Sequence, residues 1–198
     1  GLYFGTEKTN IRQRDHKFTG RIGLAYLFDN GINPYASYST SFQPNPNADI
    51  SGTLFKPTEG KQYEVGIKYQ PPGYDSSVTL SAFDLTQKNV TTADPVNSGY
   101  SVQSGEVRSR GVEVEGKASL TNNLNVLGSY AYTDARITRD NQYQGNTPRA
   151  IPRHTAGVWL DYTIDAGVFD GVGAGIGQRY MGSSQNIQNT LKVAHYTL

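Results

Sequence analysis

Two carboxylates stand two residues apart at Glu113 and Glu115. On an extended chain rising ~3.3 Å per residue they project from one face, roughly 7 Å apart. A separation of that order could serve a glycosidase pair. That chemistry also needs a substrate cleft, and nothing nearby supplies one, so the pair reads as charge on a polar strand face. His16, His154 and His195 are far apart in sequence, whereas a metal site needs convergent ligands. Gly173, Gly175 and Gly177 recur at strand spacing with no helix after them, which excludes a dinucleotide-binding loop. No catalysis, metal site or cofactor is expected. What remains is aromatic. Phe42, Phe55, Tyr100 and Tyr143 fall in long polar segments beside Gln103, Gln142, Gln144 and Arg149. Aromatic faces with a few hydrogen-bonding groups suit a bulky polar ligand. Phe42, Tyr100 and Tyr143 are the candidate substrate-binding residues.

Those segments must be held by something, and the dominant pattern is period-two alternation. In 17–29, Phe18, Ile22, Leu24, Tyr26 and Phe28 share one face. In 61–70, Tyr63, Val65, Ile67 and Tyr69 oppose Gln62, Glu64, Lys68 and Gln70. Val112 and Val114 oppose Glu113, Glu115 and Lys117. Similar patterns cover 124–133, 155–165 and 172–179, and 32–42 and 76–90 read as strands with a less regular pattern. The second of these changes face near Phe83. About eight strands result, with the start of another at 193–198, and most reach ten residues, the length a tilted membrane strand needs.

Connections alternate short and long. The short ones are 29–31, 71–76, 121–123 and 165–171; the long ones are 43–60, 91–105, 139–153 and 182–192. Outer-membrane barrels have short periplasmic turns and long extracellular loops. The apolar face then meets lipid. The polar face, with Arg21, Glu64, Lys68, Asp161 and Arg179, lines a lumen that is wet or holds a polar plug. A mean hydropathy of −0.55 fits, because such strands are apolar only at every second residue. Outward tyrosines suit interfacial girdles. A net charge of +1 without a basic block argues against nucleic acid, and the absence of cysteine excludes a disulfide framework within these residues. The fold class is all-β, an antiparallel transmembrane β-barrel. Because the sequence opens at Gly1 without Met and closes at Leu198 in an apolar-looking stretch, and because its loops are long, it is expected to be a slice of a larger barrel.

Several segments resemble TonB-dependent siderophore receptors, above all the hydroxamate group that takes ferrichrome and ferrioxamine. These are 35–44, 55–69 (FKPTEGKQYEVGIKY), 105–115 (GEVRSRGVEVE), 128–134 (GSYAYTD), 151–154 with Trp159 and Tyr162, and 175–182 with Asn189 and 196–198. The resemblance runs from about Asp15 onward and is carried by order and spacing. It implies that residues 1–198 are part of one barrel domain of roughly 22 strands, with the plug domain and the C-terminal strands outside it. It also implies a multi-pass protein of the bacterial outer membrane that captures a ferric siderophore and imports it with TonB-supplied energy. The partners implied are the siderophore, TonB through a TonB box in the N-terminal part, and outer-membrane lipid and lipopolysaccharide. The siderophore already saturates its iron, so the protein binds the organic shell. A TonB-dependent receptor for cobalamin, haem or a glycan is the alternative, and a passive porin or an outer-membrane enzyme is the reading from another class.

Overall fold

A computed structural model describes residues 16–198; Asp15, where the resemblance begins, lies outside them. Eight principal strands run in chain order: β1 (Arg21–Ala25), β2 (Ile32–Gln43), β3 (Thr58–Tyr69), β4 (Ser76–Ala93), β5 (Ser101–Ser119), β6 (Leu124–Arg139), β7 (His154–Thr163) and β8 (Gly173–Met181). A two-residue pair, β9 (Ser184–Gln185) and β10 (Lys192–Val193), sits in the last long loop, and β11 (Tyr196–Thr197) returns to pair with β8. Sequential antiparallel pairing gives one nine-stranded sheet in the order β1 to β8, then β11. No helix among the described residues is long and apolar enough to cross a membrane, which says nothing of a β-barrel.

Register places side chains on two faces. Ile22, Tyr38 and Tyr63 are cross-strand neighbours, and Ile67, Leu80, Val114, Tyr130 and Ala156 continue the same face across the sheet. This is the apolar outer face. Aromatic side chains bound it at both ends. Towards the long loops, the rings of Tyr38 and Tyr63 lie 5.0 Å apart, and those of Tyr132 and His154 lie 5.2 Å apart. Towards the short turns stand Tyr69 and Tyr162. Tyr63 and Tyr69 are six residues apart on β3, ~20 Å of strand. Aliphatic residues between aromatic girdles are the pattern a bilayer demands.

Glu113 and Glu115 share the inner face, in register with Ser81 and Ala131 and with Thr79 and Ser129 respectively. Lys68 and Arg179 lie in the row of Glu115. Trp159 also faces inward, its ring lying flat over Gly175 and Gly177. A Cβ on Gly175 would sit 2.5 Å from the Trp159 ring, so glycine there makes the room the indole occupies.

Nearer the long loops the polarity of the two faces inverts. β4 continues outward with Asp84, Thr86 and Lys88 and inward with Phe83, Leu85 and Gln87. β5 and β6 do the same. Arg108, Arg110, Asp134 and Arg136 point outward, while Val107, Ala135 and Ile137 point inward. The change of face read near Phe83 is therefore no break in pairing, because the register runs through it without a shift. The strand has left the lipid band. The long strands reach 18 and 19 residues in β4 and β5, and the loop between them shrinks to 94–100, shorter than the 91–105 expected. β1 is shorter than expected, although Tyr26 and Phe28 still donate backbone hydrogen bonds to Pro34 and Ile32.

Candidate ligand-binding rim

A few side chains are buried at the long-loop end. The buried hydrophobic side chains among the described residues are Phe55, Ala135 and Ile137, and Thr92 and Thr147 are buried beside the loops. Phe55 comes from loop 44–57, whereas Ala135 and Ile137 come from the inner face of β6. Burying these few groups cannot by itself hold four loops. Side-chain amides do the rest.

Gln103, on β5, accepts a hydrogen bond from the Lys56 amide at 2.7 Å, donates to the Lys56 carbonyl, and donates to the Asn89 carbonyl at 2.9 Å. Asn89 donates in turn to the Pro57 carbonyl at 3.0 Å. It has a positive φ of 58°, a conformation asparagine tolerates better than most residues, and it sits where the β4–β5 register slips between Lys88 and Val90. The bulge thus aims Asn89 at loop 44–57. Asn141 reaches from loop 140–153 to the Thr92 hydroxyl and the Ala93 carbonyl at 3.0 and 3.1 Å. Asn146 donates to the Ile187 carbonyl at 3.0 Å, and the Ala150 amide donates to the Gln185 carbonyl at 3.0 Å. Asn189 bonds the backbone of Thr147 in both directions. Loops 44–57, 140–153 and 182–195 are therefore tied to one another or to the strand tops between them, while turn 94–100 closes on itself through the Asp94 amide and the Tyr100 carbonyl. Within loops, Asp49, Asp94 and Asp140 accept local backbone amides. Hydrogen bonds from the Ser51 hydroxyl and the Thr53 amide hold the Asp49 carboxyl below its ordinary value, and those from the Asn97 side chain and the Val96 amide do the same for Asp94.

The three aromatic candidates fall in different places. Tyr100 ends the 94–100 turn and is about half exposed, and Tyr143 lies half-buried in loop 140–153. Phe42 is a correction: it belongs to β2, on the outer face with Tyr38 and in register with Glu59, and not to a loop over the lumen. Phe42 is half-buried there, one residue before β2 ends, so its place beside the polar run that follows reads like that of a loop residue. Gln103 is also not a free loop group, since its amide is spent on Lys56 and Asn89. His154 and His195 lie against the outer-face tyrosines Tyr132 and Tyr180, and among the described residues no group of three or more His, Asp or Glu could hold a metal ion.

A sheet with an apolar outer band, a charged inner wall and every long loop at one end is part of an outer-membrane β-barrel. The chain belongs to the TonB-dependent receptor family: the family model described as TonB dependent receptor-like, beta-barrel, matches residues 2–198. It is 48% identical over 191 residues to the ferrichrome outer membrane transporter/phage receptor of Escherichia coli K12, covering 96% of this chain and 26% of that protein. It is 38% identical to the ferrioxamine B receptor of Salmonella typhimurium, over 90% of this chain and 26% of the relative. Among solved structures, the ferric preacinetobactin receptor of Acinetobacter baumannii superposes with a TM-score of 0.74 at 25% identity, covering 91% of this chain and 28% of that one. The chain thus spans about a quarter of the length of these relatives.

Proposed function

We propose that the full-length protein captures a ferric siderophore of the hydroxamate class at this rim and imports it through the barrel with energy supplied by TonB. The observation that carries the reading is the 48% identity, over nearly the whole chain, to a protein described as a ferrichrome transporter. The geometry supports it. Three cross-tied loops at one end of the sheet, 44–57, 140–153 and 182–195, give a preorganised surface, which lowers the ordering cost of binding a bulky ligand. Tyr100 and Tyr143 are the contacts we assign to the organic shell of the siderophore. The iron arrives already coordinated, so the protein's part is to recognise that shell.

The same reading places lipopolysaccharide against the outer face above the lipid band. Arg108 donates to Asp84 at 2.8 Å and Arg110 lies 3.3 Å from it, while Arg136 and Arg153 lie 3.2 and 3.7 Å from Asp134. Four guanidinium groups on two carboxylates leave net positive charge facing outward, and guanidinium groups suit phosphate.

Uptake tests the function. Cells expressing the full-length protein should accumulate iron supplied as ferrichrome or ferrioxamine and stop when the proton gradient is collapsed. Accumulation that survives the collapse would indicate passive diffusion and contradict the proposal.

A further inference from the structure

The lipid-facing band is indented where two of its outward positions are glycines side by side. Each outward position of β3 and β7 within the band carries a bulky side chain apart from Ala156, but on β5 and β6 the register partners Gly116 and Gly128 face the bilayer side by side. They continue the row of Tyr69 and Val78. The result is a groove of about 450 Å³, walled by Tyr69 and Val78 on one side and Val126 on the other, with Ala118 below the glycines. Its lining is almost wholly apolar.

Most other glycines of the sheet interior have a reason inside the chain. A Cβ on Gly66 would meet the Tyr35 ring at 2.6 Å, one on Gly105 the Val90 carbonyl at 2.6 Å, and one on Gly111 the Phe83 ring at 2.8 Å. At Gly128 a Cβ would meet nothing within 4 Å, and at Gly116 only the Ser77 carbonyl oxygen at 3.6 Å and Val78 at 3.9 Å. Neither has a positive φ. Glycine inside a strand weakens it, and its common justification is the close approach of another molecule to the backbone. Here the chain's own packing supplies no such justification.

We propose that the groove over Gly116 and Gly128 is a binding site for one acyl chain of a phospholipid. The occupant follows from continuity with the lipid-facing surface. The groove opens onto that band, lies a few residues above the short turns at 70–75 and 120–123, and so sits at the depth of the periplasmic leaflet. A membrane-embedded groove with an apolar lining and no charged outward neighbour in its row takes a hydrocarbon chain. The inference rests on the barrel's place in the membrane and is independent of the siderophore.

Native mass spectrometry of the full-length protein, released from detergent containing palmitoyl-oleoyl phosphatidylethanolamine, tests it. An added Cβ at Gly128 meets nothing within 4 Å, so Gly128→Leu extends into the groove with no clash at its base. Val112→Leu enlarges the same outer face elsewhere and serves as the control, and heat-modifiable migration on gels confirms that each variant is a folded barrel. The expected result is one phospholipid retained by the unmodified protein and by Val112→Leu, with retention about tenfold lower in Gly128→Leu, the loss that roughly two buried methylenes represent. Equal retention in all three proteins, equal loss in both variants, or no retained lipid in any would overturn the proposal.

Discussion

The side-chain amide of Asn189 and the backbone of Thr147 are bonded in both directions, the Thr147 amide donating at 2.9 Å and the Asn189 amide donating back at 3.0 Å. This mimics one rung of an antiparallel ladder, made by a side chain where no strand exists. It joins loop 182–195 to loop 140–153, and Asn189 holds a left-handed φ of 57° to do it.

Replacing Asn189 with alanine removes both bonds and leaves the strained φ. At about 0.5–1.5 kcal/mol per hydrogen bond, the local cost should be about 1–3 kcal/mol. Amide exchange on the full-length protein should accelerate in both loops together. Acceleration confined to 182–195 would show that the Asn189–Thr147 pair does not transmit order between the loops, which the Asn146–Ile187 and Ala150–Gln185 bonds would then hold together without it.

Asp49 gives the rim a defined acid limit. Its carboxyl is held below the ordinary value of 3.8, first by the Ser51 hydroxyl and then by the Thr53 amide. A depressed value means the turn keeps its full stabilisation above 3.8 and loses it as pH falls through the lower folded value. Protection of the Ser51 and Thr53 amides, corrected for intrinsic exchange, should therefore be flat at neutral and mildly acidic pH. Protection already lost well above 3.8 would contradict the capping geometry.

Gly177→Val should be costly for a different reason. The added atoms enter the space of the Trp159 ring, whose Cζ3 would lie 3.0 Å from the new Cβ. Overpacking of this kind costs typically about 1–3 kcal/mol. The urea midpoint of the full-length barrel should fall and the Trp159 emission should shift as the indole is displaced. An unchanged midpoint with unchanged emission would mean that the ring does not rest on Gly177.

The strands were legible because lipid forces alternation. Tyr63, Val65, Ile67 and Tyr69 could only face one way, and the register agrees. The strand tops were harder. Above the band the outer face meets water and the inner face meets folded loops, so the pattern at Phe83 and Asp84 inverts without any change in backbone. Phe42 reads like a loop residue because it stands one position from the end of β2, at the start of a long polar run. The knots were not legible at all. Gln103 with Lys56 and Asn189 with Thr147 are separated by more than 40 residues in sequence, and a single amide carries no periodic signal. Only the left-handed asparagines hint at them, and φ cannot be read from a sequence.

Equilibrium titration separates the ligand classes that a receptor of this family could take. Full-length protein in detergent would be titrated with ferrichrome, ferrioxamine B, a ferric catecholate, haem and cobalamin, following tryptophan fluorescence. A ferric hydroxamate should bind saturably at sub-micromolar concentration, and Tyr100→Ala or Tyr143→Ala should weaken that binding. Saturation by haem, cobalamin or the catecholate with no response to either hydroxamate would leave the barrel intact and contradict the ligand assignment.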